Sequence, residues 1–297
     1  MSGPTLGFIA RPTLPPARHL TLARAVEAAG IDELWLWEDC FKETAVAGAA
    51  AALAATERLR VGLGVLPVPL RNVALTAMEI ATIEGMFPGR LVPGVGHGVQ
   101  GWMGQVGARA ASPLTLLREH LTALRALLDG ERVTTHGRYV TLEDVALDWP
   151  PAGRPPVLSA AQGPRTLRLV GEQADGVVLT SATGLDGLPR ALEHVHAGRR
   201  AAGRQDPFSV VVFVAVARRV EHLAATRAMF ADERLHVADD AALARLAAFG
   251  DAERVADALR AYVDAGATTV VAEPDAHEPD PEGLAGWFGQ EVAPLLR

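Results

Sequence analysis

The stretch that decides the fold is Val65–Gly98, VLPVPLRNVALTAMEIATIEGMFPGRLVPGVGHG. It joins the exit of one strand, through a Pro-containing loop, to a helical pattern and then to a second strand ending in alternating glycines. Two parallel strands with a helix between them make a βαβ unit. The glycines fall at the carboxyl end of the second strand, which is where parallel α/β proteins place their ligands.

Outward from this unit the same alternation repeats. Apolar, β-branched runs predict strands near Thr5–Ala10, Glu33–Trp37, Arg60–Val65, Arg90–Val95, Pro156–Ser159, Gly176–Leu179, Ser209–Ala217 and Thr268–Ala272. Helical patterns fall between and after them, near 16–29, 43–56, 73–86, 112–129, 164–173, 187–202, 251–265 and 281–296. Eight strands alternating with helices predict an α/β fold, a (β/α)8 TIM barrel, with residues 1–297 as a single domain. Junction residues agree. Gly30 and Gly266 each lie just past a helix and before a strand, where a left-handed C′ residue belongs. Ser112-Pro113 reads as an N-cap followed by Pro at the first helical position, and Leu114, Leu117, Leu121, Leu124 and Leu128 give that helix one apolar face. Three segments exceed plain β/α spacing and are expected as insertions at the C-terminal rim: Val99–Ala111; Glu131–Pro155, with a hairpin of Arg132–Thr135 and Arg138–Leu142 turning at His136-Gly137; and the Ala-rich, helical Val220–Gly250.

Composition narrows the function classes. Hydrophobic residues make up 49% of 297 and aromatics only 5%, so the core is built from Ala, Leu and Val. A net charge of −7 argues against nucleic-acid or anionic-membrane partners, which call for a basic face. No apolar run reaches the length of a membrane span, and the N-terminus lacks a signal-peptide pattern, so a cytoplasmic location is expected. Cys40 is the single cysteine, which excludes an internal disulfide.

Several constellations carry candidate chemistry. Gly94-Val95-Gly96-His97-Gly98 lets a backbone approach a planar or phosphorylated ligand closely. It imitates a dinucleotide fingerprint, yet a true one opens directly into a helix, and here the next helical pattern begins near Ser112. A glycine loop that only turns the chain is the plain alternative. Ser159-Ala160-Ala161-Gln162-Gly163-Pro164-Arg165 follows a strand and opens a helix, leaving backbone N–H groups and a positive helix end, with Arg165 beside them, for a cofactor phosphate. An ordinary strand-to-helix turn accounts for the same residues. Trp37-Glu38-Asp39-Cys40 sets carboxylates and a thiol at the end of the second strand, although Asp39 also suits a helix cap and a lone Cys is commonly a small buried hydrophobe. His97 is placed at the rim as a candidate acid/base group, and Glu273 ends the last strand on the same side. Trp102 and Met103 are placed either as a cofactor wall or as packing of the insertion, and with Val106 they point to a substrate that is not highly charged. Glu79 and Glu84 read as solvated or structurally paired. His194 and His196 are two apart and face different sides of a helix, and no His spacing suits a metal site, so none is predicted.

These residues together resemble the luciferase-like monooxygenase superfamily over nearly the whole chain. The likeness rests on Gly7-Phe8-Ile9, Pro69-Leu70-Arg71-Asn72, Gly89-Arg90, Gly94-Val95-Gly96, Leu117-Arg118-Glu119, Gly163-Pro164-Arg165 and Gly171-Glu172-Gln173-Ala174-Asp175-Gly176, and weakens after Arg204. The chain is most similar to the branch near methylenetetrahydromethanopterin reductase, whose members use the 8-hydroxy-5-deazaflavin coenzyme F420. The resemblance implies a barrel with the tricyclic ring at the C-terminal rim, backed by a bulge at Gly64-Val65 that often carries a cis peptide. It implies a phosphate site at Ala160, Ala161, Gln162, Gly163 and Pro164, and a glycine strand end at Gly94, Gly96 and Gly98. It also implies hydride transfer between F420 and a small organic substrate. The alternatives are an FMN-dependent monooxygenase that uses O2 and draws reduced flavin from a partner reductase, and a non-catalytic (deaza)flavin-binding protein. A homodimer is expected, with a flavin or F420 reductase as a further candidate partner. Two departures stand out. Where many deazaflavin members carry Asp-His, this chain has Asp39-Cys40, so the imidazole is missing and His97 is the candidate to replace it. Where sugar-phosphate dehydrogenases of the family carry Glu, it has Val99, which disfavours that subgroup.

Overall fold

The computed structural model describes residues 3–218, 226–228, 230, 237, 239–275 and 278–297. The chain opens with β1 (Thr5–Ala10), α1 (His19–Ala28), β2 (Glu33–Leu36), α2 (Ala45–Ala54), β3 (Arg60–Leu63) and β4 (Leu66–Pro67). It continues with α3 (Val73–Met86), β5 (Leu91–Val92), β6 (Gly94–Gly96), α4 (Gln100–Gln105), α5 (Pro113–Leu128) and the strands β7 (Val133–His136) and β8 (Thr141–Val145). Next come β9 (Leu158–Ala160), α6 (Pro164–Gln173), β10 (Gly176–Leu179), α7 (Gly184–Ala201) and β11 (Ser209–Ala217). The last elements are α8 (Asp240–Leu243), β12 (Ala247–Phe249), α9 (Ala252–Asp264), β13 (Thr269–Glu273) and α10 (Pro281–Trp287), with two short helical turns after it.

The main sheet is parallel and curled. Its pairing order is β4-β6-β9-β10-β11-β13-β1-β2-β3-β5, with β12 added alongside β11. The two ends of this path are halves of the same chain segments. β3 runs into β4 across Gly64-Val65, and β5 runs into β6 across Pro93. β3 pairs with β5 while β4 pairs with β6, and β6 also pairs with β9. The Gly64–Val65 peptide is cis, at the position the resemblance implied, and Cys40–Phe41 is cis as well.

The strands lie where the apolar runs placed them, with two differences. The third and fourth are each broken, and β12 is an additional strand inside a segment expected to be helical. Residues 220–225, 229, 231–236 and 238 of that segment lie outside the described residues. The hairpin forms as β7 and β8, but its turn spans residues 137–140, because Gly137 N–H donates to the Val140 carbonyl. The first insertion also contains α4, which its short Gly- and Gln-rich sequence did not announce.

Two apolar layers hold this arrangement. The larger fills the space between sheet and helices, where Leu117, Leu121, Leu124 and Leu128 of α5 are all buried. The smaller lies inside the curl and comprises Ile9, Trp35, Val92, Leu158, Val178, Val211, Phe213 and Val271. Trp35 dominates it. A Cβ on Gly62 would sit 2.3 Å from the Trp35 ring, one on Gly7 2.9 Å and one on Gly64 3.0 Å. These three glycines are the room that the indole occupies. Its Nε1 donates to Glu33 Oε2 at 2.8 Å, and Glu33 in turn pairs with Arg60 at 3.0 Å.

Junction chemistry follows the expected pattern in part. Gly30 and Gly266 have positive φ, as left-handed C′ residues do. Ser112 precedes Pro113 at the start of α5, but its hydroxyl meets Thr115 Oγ1 at 2.8 Å and does not cap the backbone. Glu84 on α3 accepts from Gly89 N–H at 2.9 Å and Leu91 N–H at 3.3 Å, so it closes the turn into β5.

One buried group sets a pH limit on stability. His120 on α5 is 1% exposed, and burial pushes its imidazole down to about 4. The folded chain therefore holds it neutral, whereas the unfolded chain protonates it near 6.5. The associated stability is complete above the unfolded value and is lost as pH falls toward the folded one, about 3 kcal/mol in all. Urea unfolding at pH 7.5 and 4.5 will show this loss, and His120→Leu will reduce it.

Candidate active site

A cleft of about 1250 Å³ opens at the carboxyl ends of the strands. Nearly every strand of the curl contributes to its wall. Arg11 follows β1, and Trp37, Glu38 and Asp39 follow β2. Gly64, Val65 and Pro67 come from the break between β3 and β4. His97, Gly98 and Val99 follow β6, with Trp102 on α4 closing that side. The turn from β9 into α6 supplies Ala160, Ala161, Gln162, Gly163, Pro164 and Thr166. Val178 to Thr183, Phe213 and Glu273 complete the floor and far wall, and α7 adds Arg190 and His194.

Most of the residues expected from the sequence meet here. Cys40, Gly94, Gly96 and Arg165 are not part of the cleft wall, and neither are Met103 and Val106 of the first insertion. Gly94 and Gly96 are small because the chain packs on itself. A Cβ on Gly94 would lie 2.3 Å from the Leu63 carbonyl, and one on Gly96 2.7 Å from the Val65 side chain. Both glycines are required where the two broken strands cross. Cys40 lies beside the wall, with its thiol raised by burial and by the nearby Glu38, which disfavours the thiolate. Arg165 is exposed on the solvent side of α6.

The Glu38 and Arg71 pairing explains the Pro69-Leu70-Arg71-Asn72 motif. Arg71 Nη2 lies 2.9 Å from Glu38 Oε2, and its Nε 3.3 Å from Glu79 Oε2. The same Glu38 oxygen accepts the Ala45 N–H at 3.0 Å, so Glu38, not Asp39, holds the start of α2. Asn72 caps α3 by accepting from Ala74 N–H at 2.9 Å. Asp39 points toward Lys42 at 3.6 Å, and burial raises its carboxyl above the usual range.

His97 is tied to the next wall of the cleft, with Nε2 3.1 Å from Thr166 Oγ1 in the first turn of α6. Burial lowers its imidazole below the usual value, against an opposing contribution from the Pro113 backbone, and so favours the neutral ring. Glu273 is 1% exposed, and burial raises its carboxyl while Arg11 at 2.6 Å opposes the shift.

The turn into α6 has the features of an anion site. Gly163 is its N-cap and offers no side-chain cap, so the first N–H groups of α6 are not taken by one. α7 lies against α6 at backbone contact. A Cβ on Gly171 would be 2.0 Å from the Val195 carbonyl, and one on Gly198 2.0 Å from the Arg168 carbonyl. Both helices follow neighbouring parallel strands, so this contact sets Ala191 level with Pro164 and His194 level with Leu167. Arg190 and His194, one helical turn apart, thus flank the start of α6. No local sequence pattern marks them, nor Arg11 or the Thr180–Thr183 wall. Only the packing of α6 on α7 and the curl of the sheet bring them in.

Comparison with known proteins decides the family. The family model described as luciferase-like monooxygenase matches residues 6–269. The chain belongs to this family. It is 32% identical over 209 residues to 5,10-methylenetetrahydromethanopterin reductase of Methanolobus tindarius, a match covering 70% of this chain and 63% of that relative. It is 28% identical over 319 aligned positions to F420-dependent glucose-6-phosphate dehydrogenase of Kineococcus radiotolerans, covering 95% and 94%. In fold it is similar to the coenzyme F420 dependent tetrahydromethanopterin reductase of Methanopyrus kandleri, with a TM-score of 0.87 at 22% identity over the full length of both chains. The protein is therefore an enzyme of the luciferase-like class. Among the described residues, no helix is long and apolar enough to cross a membrane.

Proposed function

We propose that this enzyme is an oxidoreductase that binds coenzyme F420 in the cleft and moves a hydride between it and a small organic substrate. On this reading the curled sheet is a closed (β/α)8 barrel with its insertions at the C-terminal rim. The observation that carries it is the continuous wall from Gly64-Val65 to the first turn of α6, in a cleft of about 1250 Å³, in a chain whose relatives include named F420 enzymes along nearly its full length. The fit is chemical as well as spatial. Val65, Trp102 and Phe213 offer apolar surface to a planar ring, and the uncapped start of α6 suits a phosphate. Arg190 and His194 extend the basic character beyond that phosphate, which suits a coenzyme whose tail carries carboxylates better than the simple monoester of FMN.

When bound, the deazaflavin supplies the two-electron hydride chemistry. The chain supplies the rest. Gly64 and Val65 back the ring, and Gly163 with Pro164 holds the phosphate end. Trp102 and Val99 add apolar wall on the side of His97. His97, kept neutral by burial and oriented by Thr166, is the group that holds or accepts a proton, in the place of the imidazole absent at Cys40.

The partner expected of the chain is a second copy of itself. The exposed faces of α2 and α3 carry no free charge. α2 contains no charged residue, and Glu79 and Glu84 of α3 are turned into the chain's own contacts. Leu75, Met78 and Met86 stand 47%, 56% and 55% exposed on the outer side of α3. Such a patch fits an equally uncharged one. Sedimentation velocity will give a dimer, and Met78→Glu will shift it toward the monomer.

Fluorescence titration with F420 and, separately, FMN tests the cofactor. Tight binding of F420 with little response to FMN supports the reading. Binding of FMN alone replaces it with an FMN-dependent monooxygenase that needs a reductase partner, and binding of neither removes the phosphate site at Gly163-Pro164. His97→Ala will lower turnover by about 100-fold while leaving coenzyme affinity nearly unchanged. Unchanged turnover in steady-state assays would rule out the acid/base role.

A further inference from the structure

Three aromatic rings run through the inner core in contact. Trp35 meets Phe213 edge to face, with centroids 5.6 Å apart and planes at 67°. Trp37 stacks on the same phenyl ring, with centroids 6.0 Å apart and planes at 22°. The two indoles are two residues apart along an extended stretch, so both leave it on one face. The ends of the series lie in different places. Trp37 and Phe213 belong to the cleft wall. Trp35 borders a second pocket of about 180 Å³, together with Glu33 and Arg60. That pocket lies at the opposite end of the strands, where Thr5, Glu33, Arg60 and Thr269 begin β1, β2, β3 and β13.

The two indoles also differ in their surroundings. Trp37 Nε1 has no hydrogen-bond partner among the described residues, and the Arg11 guanidinium, itself paired with Glu273, lies 5.0 Å from the Trp37 ring centroid. Trp35 Nε1 donates to Glu33 Oε2 at 2.8 Å. Burial raises the Glu33 carboxyl, and Arg60, 3.0 Å from Oε1, opposes that shift and favours the carboxylate. An indole that loses an electron becomes strongly acidic at nitrogen and is stabilised where an acceptor can take the proton. Of these two rings, Trp35 has that acceptor. The carboxylate beside it also favours positive charge there, whereas the guanidinium over Trp37 opposes it.

We propose that Trp37, Phe213 and Trp35 form a one-electron path through the core that draws oxidising equivalents from the cleft to Trp35, where Glu33 takes the indole proton. The oxidant is a photoexcited tricyclic coenzyme, so its identity rests on the coenzyme reading above. Trp37 gives up one electron to it, and Trp35 replaces that electron across Phe213, whose ring is too hard to oxidise and serves as a bridge. The Trp35 Nε1–H bond breaks and its proton bonds to Glu33 Oε2. The balance is one electron gained by the oxidant, a neutral indolyl radical at Trp35 and a protonated Glu33. An electron from a small thiol in the second pocket, oxidised to its thiyl radical, and the proton held by Glu33 then restore the indole. The path clears single-electron oxidation from a cleft read here as a site of two-electron hydride chemistry.

The test puts an oxidant at the cleft end without any coenzyme. Cys40, the single cysteine, lies three residues after Trp37 and takes a maleimide-linked ruthenium tris-bipyridine. Flash-quench oxidation of this label in the full chain, followed by transient absorption, gives the neutral indolyl radical. Trp35→Phe and Trp37→Phe each abolish that signal, and Glu33→Gln leaves the indole radical cation in its place. A neutral-radical signal of unchanged rate and yield in either tryptophan variant overturns the path, since Trp102, Trp149 or Trp287 then carries it. If Trp35→Phe does not fold, Trp37→Phe and Glu33→Gln decide the matter. Separately, the fluorescence lifetime of bound F420 is longer in Trp37→Phe than in the wild type, and equal lifetimes overturn the coenzyme as the oxidant. Failure of F420 to bind, read by titration, removes the coenzyme reading alone and leaves the ruthenium result to decide the path.

Discussion

The indole of Trp35 inside the curled sheet is the constraint on which the rest depends. A parallel curl of this size needs bulky side chains inside it, yet aromatics are scarce in this chain. Trp35, set edge-on to Phe213, does most of the filling, and Gly7, Gly62 and Gly64 stand back from it. The consequence reaches the site. With the interior filled at the level of Trp35, the next inward position along β2, Trp37, lies at the cleft floor against Phe213. Gly64, shaped by the same ring, is also the first residue of the break that lines the cleft. Core packing and site geometry are therefore one arrangement.

Buried carboxylates form a second layer of organisation. Glu33, Glu38 and Glu273 are all nearly inaccessible, and each has an arginine partner: Arg60, Arg71 and Arg11. Burial raises all three carboxyls and the guanidinium groups oppose it. Pairs of this kind add little net stability compared with apolar packing, but losing one partner strands a buried charge. What they contribute here is placement. Arg71 joins the end of β2 to α3, Glu38 starts α2, and Arg11 is clamped between Glu273 and Trp37. The cleft thus has a polar floor whose groups cannot swing freely, beneath apolar walls.

How much of this was legible varied with the kind of signal. The strand runs were readable because strands buried on both faces are nearly continuous apolar stretches, as in Ser209–Ala217. Gly30 and Gly266 marked helix ends because few other residues accept positive φ. The start of α6 was readable because Gly163-Pro164 is a local signature. Gly94 and Gly96 read as a ligand-facing loop, and the fold adds a reason for their smallness that no local pattern shows, the close approach of Leu63 and Val65 across a strand break. Asp39 looked like the cap of α2, a task that falls to Glu38, because the chain bends between them and only one carboxylate reaches Ala45.

By itself the sequence determined the strand and helix alternation, the family pattern, and the two loops, after β6 and after β9, that line the cleft. Those properties depend on neighbours within a few residues, through periodicity, turn chemistry and caps. Only the tertiary structure decided that Arg11 meets Glu273 across 262 positions, that the Trp35 N–H is paired while that of Trp37 has no partner among the described residues, and that α7 brings Arg190 and His194 into the same cleft wall as the start of α6. The physical reason is that burial and pairing are properties of a place in the fold. A tryptophan or a glutamate has the same local sequence signal whether it is solvated, satisfied by a neighbour, or left facing a cleft.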